Sequence, residues 1–147
     1  MPLLEHIAEL IPADVGSPGG EQFGEAVAVS ADRMVVGANS HSGTRGIVYV
    51  FRKTGWRGWT EEAQLIPPTG DRSVQFGSAV AIDGDTIVVG APQDASCSTS
   101  VVRSSGDVMP STGCSGAGSA SVFAWFGGSW RFEAYLKAPD AAAGQTF

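Results

Sequence analysis

The sequence predicts an all-β protein made of two complete four-stranded antiparallel units, and three observations carry that expectation. Apolar residues alternate over short runs bounded by turn residues instead of recurring at helical spacing. Glycine accounts for 20 of the 147 residues while charged residues reach only 16%, a balance foreign to helical surfaces. Above all, the chain repeats itself. Phe23-Gly24-Glu25-Ala26-Val27-Ala28-Val29 is echoed by Phe76-Gly77-Ser78-Ala79-Val80-Ala81-Ile82, and Gly37-Ala38-Asn39 and Gly90-Ala91-Pro92 follow at the same offset.

In each copy the first strand is expected at Ala26–Val29 or its counterpart. Its partner, Arg33–Val36, follows a tight Ser30-Ala31-Asp32 turn; in the second copy Asp83-Gly84-Asp85 is a favoured hairpin turn before Thr86–Val89. The third strand is the glycine-led run Gly46 to Phe51, continuing to Arg52, matched by Gly118 to Phe123. Trp59 and Trp130 introduce the fourth. It is read at Thr60–Ile66, where Ala63 and Leu65 alternate with Glu62 and Gln64, as Ala134 and Leu136 alternate with Glu133 and Tyr135. Pro67, Pro68 and Pro139 then end the pairing, because proline cannot donate to a ladder. Ala8-Glu9-Leu10-Ile11-Pro12 repeats the Ala-x-Leu phrase and reads as a fourth strand without its three predecessors. The chain thus divides into an outer strand and linker (1–22), a first unit (23–75), and a second (76–147) with an inserted loop at 93–118 and the start of a third repeat at Phe147.

Four-stranded units at this spacing, punctuated by glycines and aromatics, are the signature of propeller blades. The Phe-Gly pair, the Val-Val-Gly-Ala phrase at Val35–Ala38 and Val88–Ala91, the glycine-led segment ending in Phe, and the following Trp and Leu resemble the FG-GAP repeat of integrin α-subunit propellers and of secreted or surface microbial propellers. Asn39 departs from the pattern where the second copy has Pro92. The resemblance implies β-propeller blades of FG-GAP type. Two blades are fewer than a repeat array usually needs, so the remaining blades are expected from the same propeller or from other chains. The odd first strand favours a window of a longer propeller over a ring of copies.

Phe23, Gly24, Gly37, Trp59, Phe76, Gly77, Gly90 and Trp130 recur with the repeat and are expected to build the frame. The irregular positions are the candidates for partner contact: Asn39, His41 and Arg45 in one loop, Trp56 and Arg57 in a glycine-flanked turn, Trp125 outside the shared pattern, and the insertion itself. Cys97 and Cys114 both lie in that insertion. A bridge between them would close a loop of about 17 residues and stabilise by about 3 kcal/mol; two free thiols are the alternative, and no histidine stands at ligand spacing to make a metal site.

The remaining chemistry is mostly excluded. A net charge of −6 with no basic stripe opposes nucleic-acid binding, and no apolar run approaches the roughly 20 residues of a membrane span. Met1–His6 lacks the basic-then-apolar pattern of a leader peptide. Blades of the integrin type often carry calcium between their first two strands, but Ser30–Arg33 and Asp83–Thr86 offer too few oxygens to wrap an ion, so neither calcium nor another cofactor is expected. His41 has no nucleophile elbow or acid partner by spacing, and Glu61 and Glu62, adjacent on a strand, should point to opposite faces as solvated edge charges. The expectation is therefore a non-catalytic binding or scaffold module, extracellular or at the cell surface, recognising protein or glycan partners through its loops. A structural segment of an extracellular assembly is one alternative, and an accessory domain of a secreted hydrolase another.

Overall fold

In the computed structural model, the residues described are 8–13, 22–40, 45–68, 74–108 and 113–142. Eight strands form two four-stranded sheets, each a meander of antiparallel neighbours in chain order. The first blade contains β1 (Phe23–Ser30), β2 (Arg33–Ala38), β3 (Ile47–Thr54) and β4 (Gly58–Leu65); the second contains β5 (Ala79–Asp83), β6 (Thr86–Ala91), β7 (Ser119–Phe126) and β8 (Ser129–Leu136). The strands run longer than the alternation alone marks, because β1 reaches back across a bulge to Phe23 and β3 continues to Thr54.

The repeat extends to backbone detail. Gln22 and Gln75 both adopt positive φ, Gly24 and Gly77 follow at φ 94° and 93°, and the Glu25 and Ser78 amides donate back to the Gln22 and Gln75 carbonyls. That sign of φ suits glycine, which has no Cβ to clash. A bulge interrupts the β3–β4 ladder between Val50 and Phe51, and another falls at the matching place, between Val122 and Phe123, in β7–β8. The β3–β4 and β7–β8 hairpin tips differ. Blade 1 turns on Gly55-Trp56-Arg57, blade 2 on the shorter Gly127-Gly128.

The expected extra strand at Ala8–Pro12 is not formed: no ladder engages it among the described residues. A strand needs a partner, and the sheet it would complete is not in the chain. Leu10 instead packs with Phe23, Met34 and Trp59 over Val36, Ala38, Ile47, Tyr49 and Phe51, on the face of blade 1 turned away from blade 2.

The main core lies between the blades. Val35, Val48, Val50 and Leu65 of blade 1 meet Ile87, Val89, Ala91 and Phe123 of blade 2, with Val74 and Phe76 from the connecting segment. Each of the buried Val, Leu, Ile and Phe side chains contributes about 1.5–3 kcal/mol, so face-to-face stacking is what makes the two sheets one body. The backbones come close where glycine stands: a Cβ on Gly37 would lie 2.0 Å from the Gly77 carbonyl oxygen. Gly90, at the equivalent place on blade 2, meets nothing closer than 3.4 Å. It lies on the free face of that blade together with exposed Ala79, Ala81 and Val88, the counterparts of Ala26, Ala28 and Val35.

Candidate functional site

The hairpin turns at one end of the sheets bring together an interblade cluster centred on Arg33. Ala31 takes positive φ, which closes the turn and sets Arg33 as the first residue of β2. Its Nε donates to Glu62 Oε2 at 2.9 Å and its Nη1 to Asp85 Oδ1 of blade 2 at 3.2 Å. The guanidinium carbon also lies 4.4 Å from the ring centre of Trp125 and 5.3 Å from that of Trp130. Trp130 Nε1 closes the circuit by donating to Glu62 Oε2 at 3.0 Å. Burial disfavours the Arg33 charge, but the bond to Glu62 and the attraction of Glu62, Asp32 and Asp85 outweigh it, holding the group above its usual range.

Glu62 is therefore no solvated edge charge, contrary to the alternation argument. The bulge pairs Val50 with Ala63 and Phe51 with Glu61, so Glu62 is the extra residue, and its side chain, only 11% exposed, turns to the neighbouring blade. Glu61 does stay at the rim, where it accepts from the Ala13 amide and from Gln64 Nε2.

At the opposite end, the insertion is fastened by a buried polar knot. Asp94 Oδ2 accepts from Tyr135 Oη and from Ser119 Oγ, both at 2.7 Å, while Oδ1 accepts from the Ser96 amide at 2.8 Å. Lys137 Nζ donates to the Gly118 carbonyl at 2.6 Å and stands 3.9 Å from Asp94 Oδ1. Burial, followed by the bond to Asp94, pushes the Tyr135 phenol well above its ordinary value. Burial also lowers the Lys137 ammonium, with Asp94 opposing the change. Cys97 and Cys114 are joined in a disulfide, and Ser96 pairs with Gly113 beside it. Further along, Val102 forms a single antiparallel bridge to Tyr135. The insertion thus has a fixed neck, and beyond it Thr99–Asp107 is largely exposed, with a short 3-10 turn at Ser105–Asp107.

The sequence candidates separate accordingly. Trp56, at the β3–β4 tip, is 76% exposed, with the Arg57 guanidinium 4.5 Å from its ring centre. Phe126 and Arg131 make a similar pair at the tip of blade 2, which the sequence reading did not single out. Trp125 sits inside the Arg33 cluster. Asn39 is buried and donates from Nδ2 to Ser78 Oγ of the following repeat at 3.1 Å, so it ties the repeats together. The Arg45 carbonyl accepts from the Phe76 amide, and His41 lies outside the described residues. Arg33, Glu62 and Asp94 do not stand out in the sequence. Their signal, a charged residue at the edge of an apolar strand, is too common to separate from a solvated one.

Between the outer strands of the two blades lies a cleft of about 330 Å³. Leu65 and the Pro67-Pro68 pair line one side, Phe123, Trp130 and Phe132 the other, and Gln64, Ile66 and Ser105 its remaining wall. Among the described residues, no cluster of three or more histidine, cysteine or acidic side chains could hold a metal ion, and no helix is long and apolar enough to cross a membrane.

No curated protein matches the chain. The family model described as FG-GAP repeat matches residues 5–51 and 59–123, which take in most of β1 to β7, the Phe-Gly turns and the Gly37–Gly77 contact that packs one blade on the next. The chain belongs to the FG-GAP repeat family.

Proposed function

We propose that this chain is a non-catalytic binding module within a larger extracellular or cell-surface propeller, and that it meets protein or glycan partners through its irregular segments. The observation that carries this reading is the insertion of blade 2. A polar excursion is held at its neck by a disulfide and a buried Asp94 knot, and such anchoring keeps a recognition loop ordered before its partner arrives. The disulfide also suits an oxidising compartment. The Trp56–Arg57 tip is the second contact, because an exposed indole carrying a cation offers both apolar area and charge. The free face of blade 2 supports the further reading that more blades follow, since its residues repeat those that blade 1 buries. The same face supports the alternative of a structural segment in an assembly.

A screen of the chain against glycan and extracellular-protein arrays tests the proposal. Two variants accompany it: one in which a Gly-Ser linker replaces residues 98–112, and Trp56→Ala. Binding that is lost in either variant, with unchanged melting, is the expected outcome. Binding that survives both substitutions together overturns the assignment of these segments.

A further inference from the structure

We propose that the outer edge of β4 at Gln64, with the apolar cleft beside it, is a docking site for an extended peptide segment of a partner protein that carries a bulky apolar side chain. This site is on the rim of the blades, away from the Trp56–Arg57 tip, and Ser105 of the insertion borders its cleft.

The two blades differ at this edge. β4 and β8 are the outermost strands of their sheets, and Gln64 and Tyr135 occupy the same place in them, opposite Tyr49 and Ser121 and equally distant from the bulge. In blade 2 that edge is already used. The Val102 amide donates to the Tyr135 carbonyl at 3.0 Å, and the Tyr135 amide to the Val102 carbonyl at 2.7 Å, so the backbone groups of Tyr135 point away from β7. The equivalent groups of Gln64 then point away from β3, and no strand pairs with them among the described residues. An outward row of unpaired donors and acceptors is a template for strand addition.

The side-chain parity identifies the ligand. In an antiparallel pair, residues directly opposite share a face. Tyr49 belongs to the cluster on the far face of blade 1, so Gln64 shares that face, and the neighbouring Leu65 faces blade 2. A peptide placed on Gln64 as residues 101–103 lie on Tyr135 sets its position equivalent to Val101 beside Leu65, pointing into the cleft. In blade 2, Val101 itself is 54% exposed, because no further blade stands beside it. On blade 1 the same position would lie between Leu65 and Phe123, Trp130 and Phe132, and a cleft of about 330 Å³ is large enough for an aromatic ring. The insertion of a second copy is a poor occupant, since it is engaged with its own β8. The fitting partner is another protein, with an extended segment and an aromatic or large aliphatic residue at that position.

The test uses the whole chain and a capped peptide copying residues 98–104, in the native form and with Val101→Trp or Val101→Ala. Amide NMR titration of the chain is expected to move Gln64, Ile66 and the Trp130 indole, with the Trp peptide binding at least about 10-fold more tightly than the Ala peptide, a difference within the range of one buried aromatic. Gln64→Pro removes the outward donor at an edge position where proline is tolerated, and is expected to weaken binding at least about 10-fold; Gln64→Ala should leave it within about twofold. If Gln64→Pro does not fold, amide exchange at Gln64 in the unaltered chain replaces it, with slowing on peptide addition as the expected result. Shifts confined to the loops or to the Tyr135 edge, equal affinity for the Trp and Ala peptides, undiminished binding to a folded Gln64→Pro variant, or no binding at millimolar peptide would each overturn the proposal.

Discussion

Gly37→Ala and Gly90→Ala are the same substitution at repeat-equivalent positions, and the fold assigns them opposite consequences. At Gly37 the added methyl would stand 2.0 Å from the Gly77 carbonyl oxygen and 3.3 Å from the Gly77 Cα. Both are backbone atoms, so no rotamer change relieves the contact and the blades must separate locally. Overpacking typically costs about 1–3 kcal/mol, and a backbone-to-backbone clash belongs at the top of that range, about 3 kcal/mol. For a chain of this size that corresponds to roughly 10 °C in melting temperature. At Gly90 the nearest atom is the Ala79 Cβ at 3.4 Å, an ordinary contact. There the change should cost under about 0.5 kcal/mol, and the loss of unfolded-state freedom can make it slightly stabilising. Calorimetric melts of the two variants beside the unaltered chain decide the matter. Equal destabilisation, or a Gly37→Ala melt within about 1 °C of the parent, would refute the face-to-face packing through Gly37 and Gly77.

Three further outcomes are expected. Arg33→Met should destabilise by about 2 kcal/mol, because it leaves the largely buried Glu62 carboxylate with only the Trp130 indole and the more distant Arg52, 3.7 Å away, and adding Glu62→Leu should recover part of the loss; urea melts of the single and double variants read the coupling. Tyr135 has its pKa raised in the folded state, so the stability it contributes is complete below the unfolded value near 10 and falls above it by about 1.4 kcal/mol per pH unit. Lys137, lowered by burial, acts the other way just below that window, where stability rises with pH up to the unfolded lysine value. Tyr135→Phe should therefore flatten the alkaline decline in denaturant midpoints taken from about pH 9 to 12, and an unchanged decline would contradict the buried knot. Removing the Cys97–Cys114 bridge by a double serine substitution should cost about 3 kcal/mol on the chain-entropy estimate, with greater protease sensitivity confined to the insertion; limited proteolysis with mass spectrometry checks the location.

The repeat made the frame readable from the sequence. Alternation of period two fixes which residues of a strand share a face, and Phe23 and Phe76 at a constant offset from Gly37 and Gly90 required the same strand positions in both copies. Hairpin turns and proline stops are local chemistry, and with the alternation they placed the eight strands to within a few residues. What the sequence could not contain is the identity of the atoms opposite a given face. Glu62 looked solvated because alternation ignores a bulge, and Asn39 looked like a loop contact because nothing local reveals Ser78 across the junction. Ala8–Pro12 looked like a strand because pattern records the propensity to pair and not the presence of a partner.

The sequence by itself determined the strands, their faces, the period and the place of the insertion, because each of these follows from short-range sterics and from the spacing of apolar residues. The tertiary structure alone decided that Arg33 joins Glu62, Asp85 and two tryptophans, that Asp94 is buried under the insertion, and that among the described residues one blade edge carries a bridge while its equivalent does not. Those contacts link residues up to 97 positions apart, and they depend on how two sheets stack, which is a property of surfaces meeting in space.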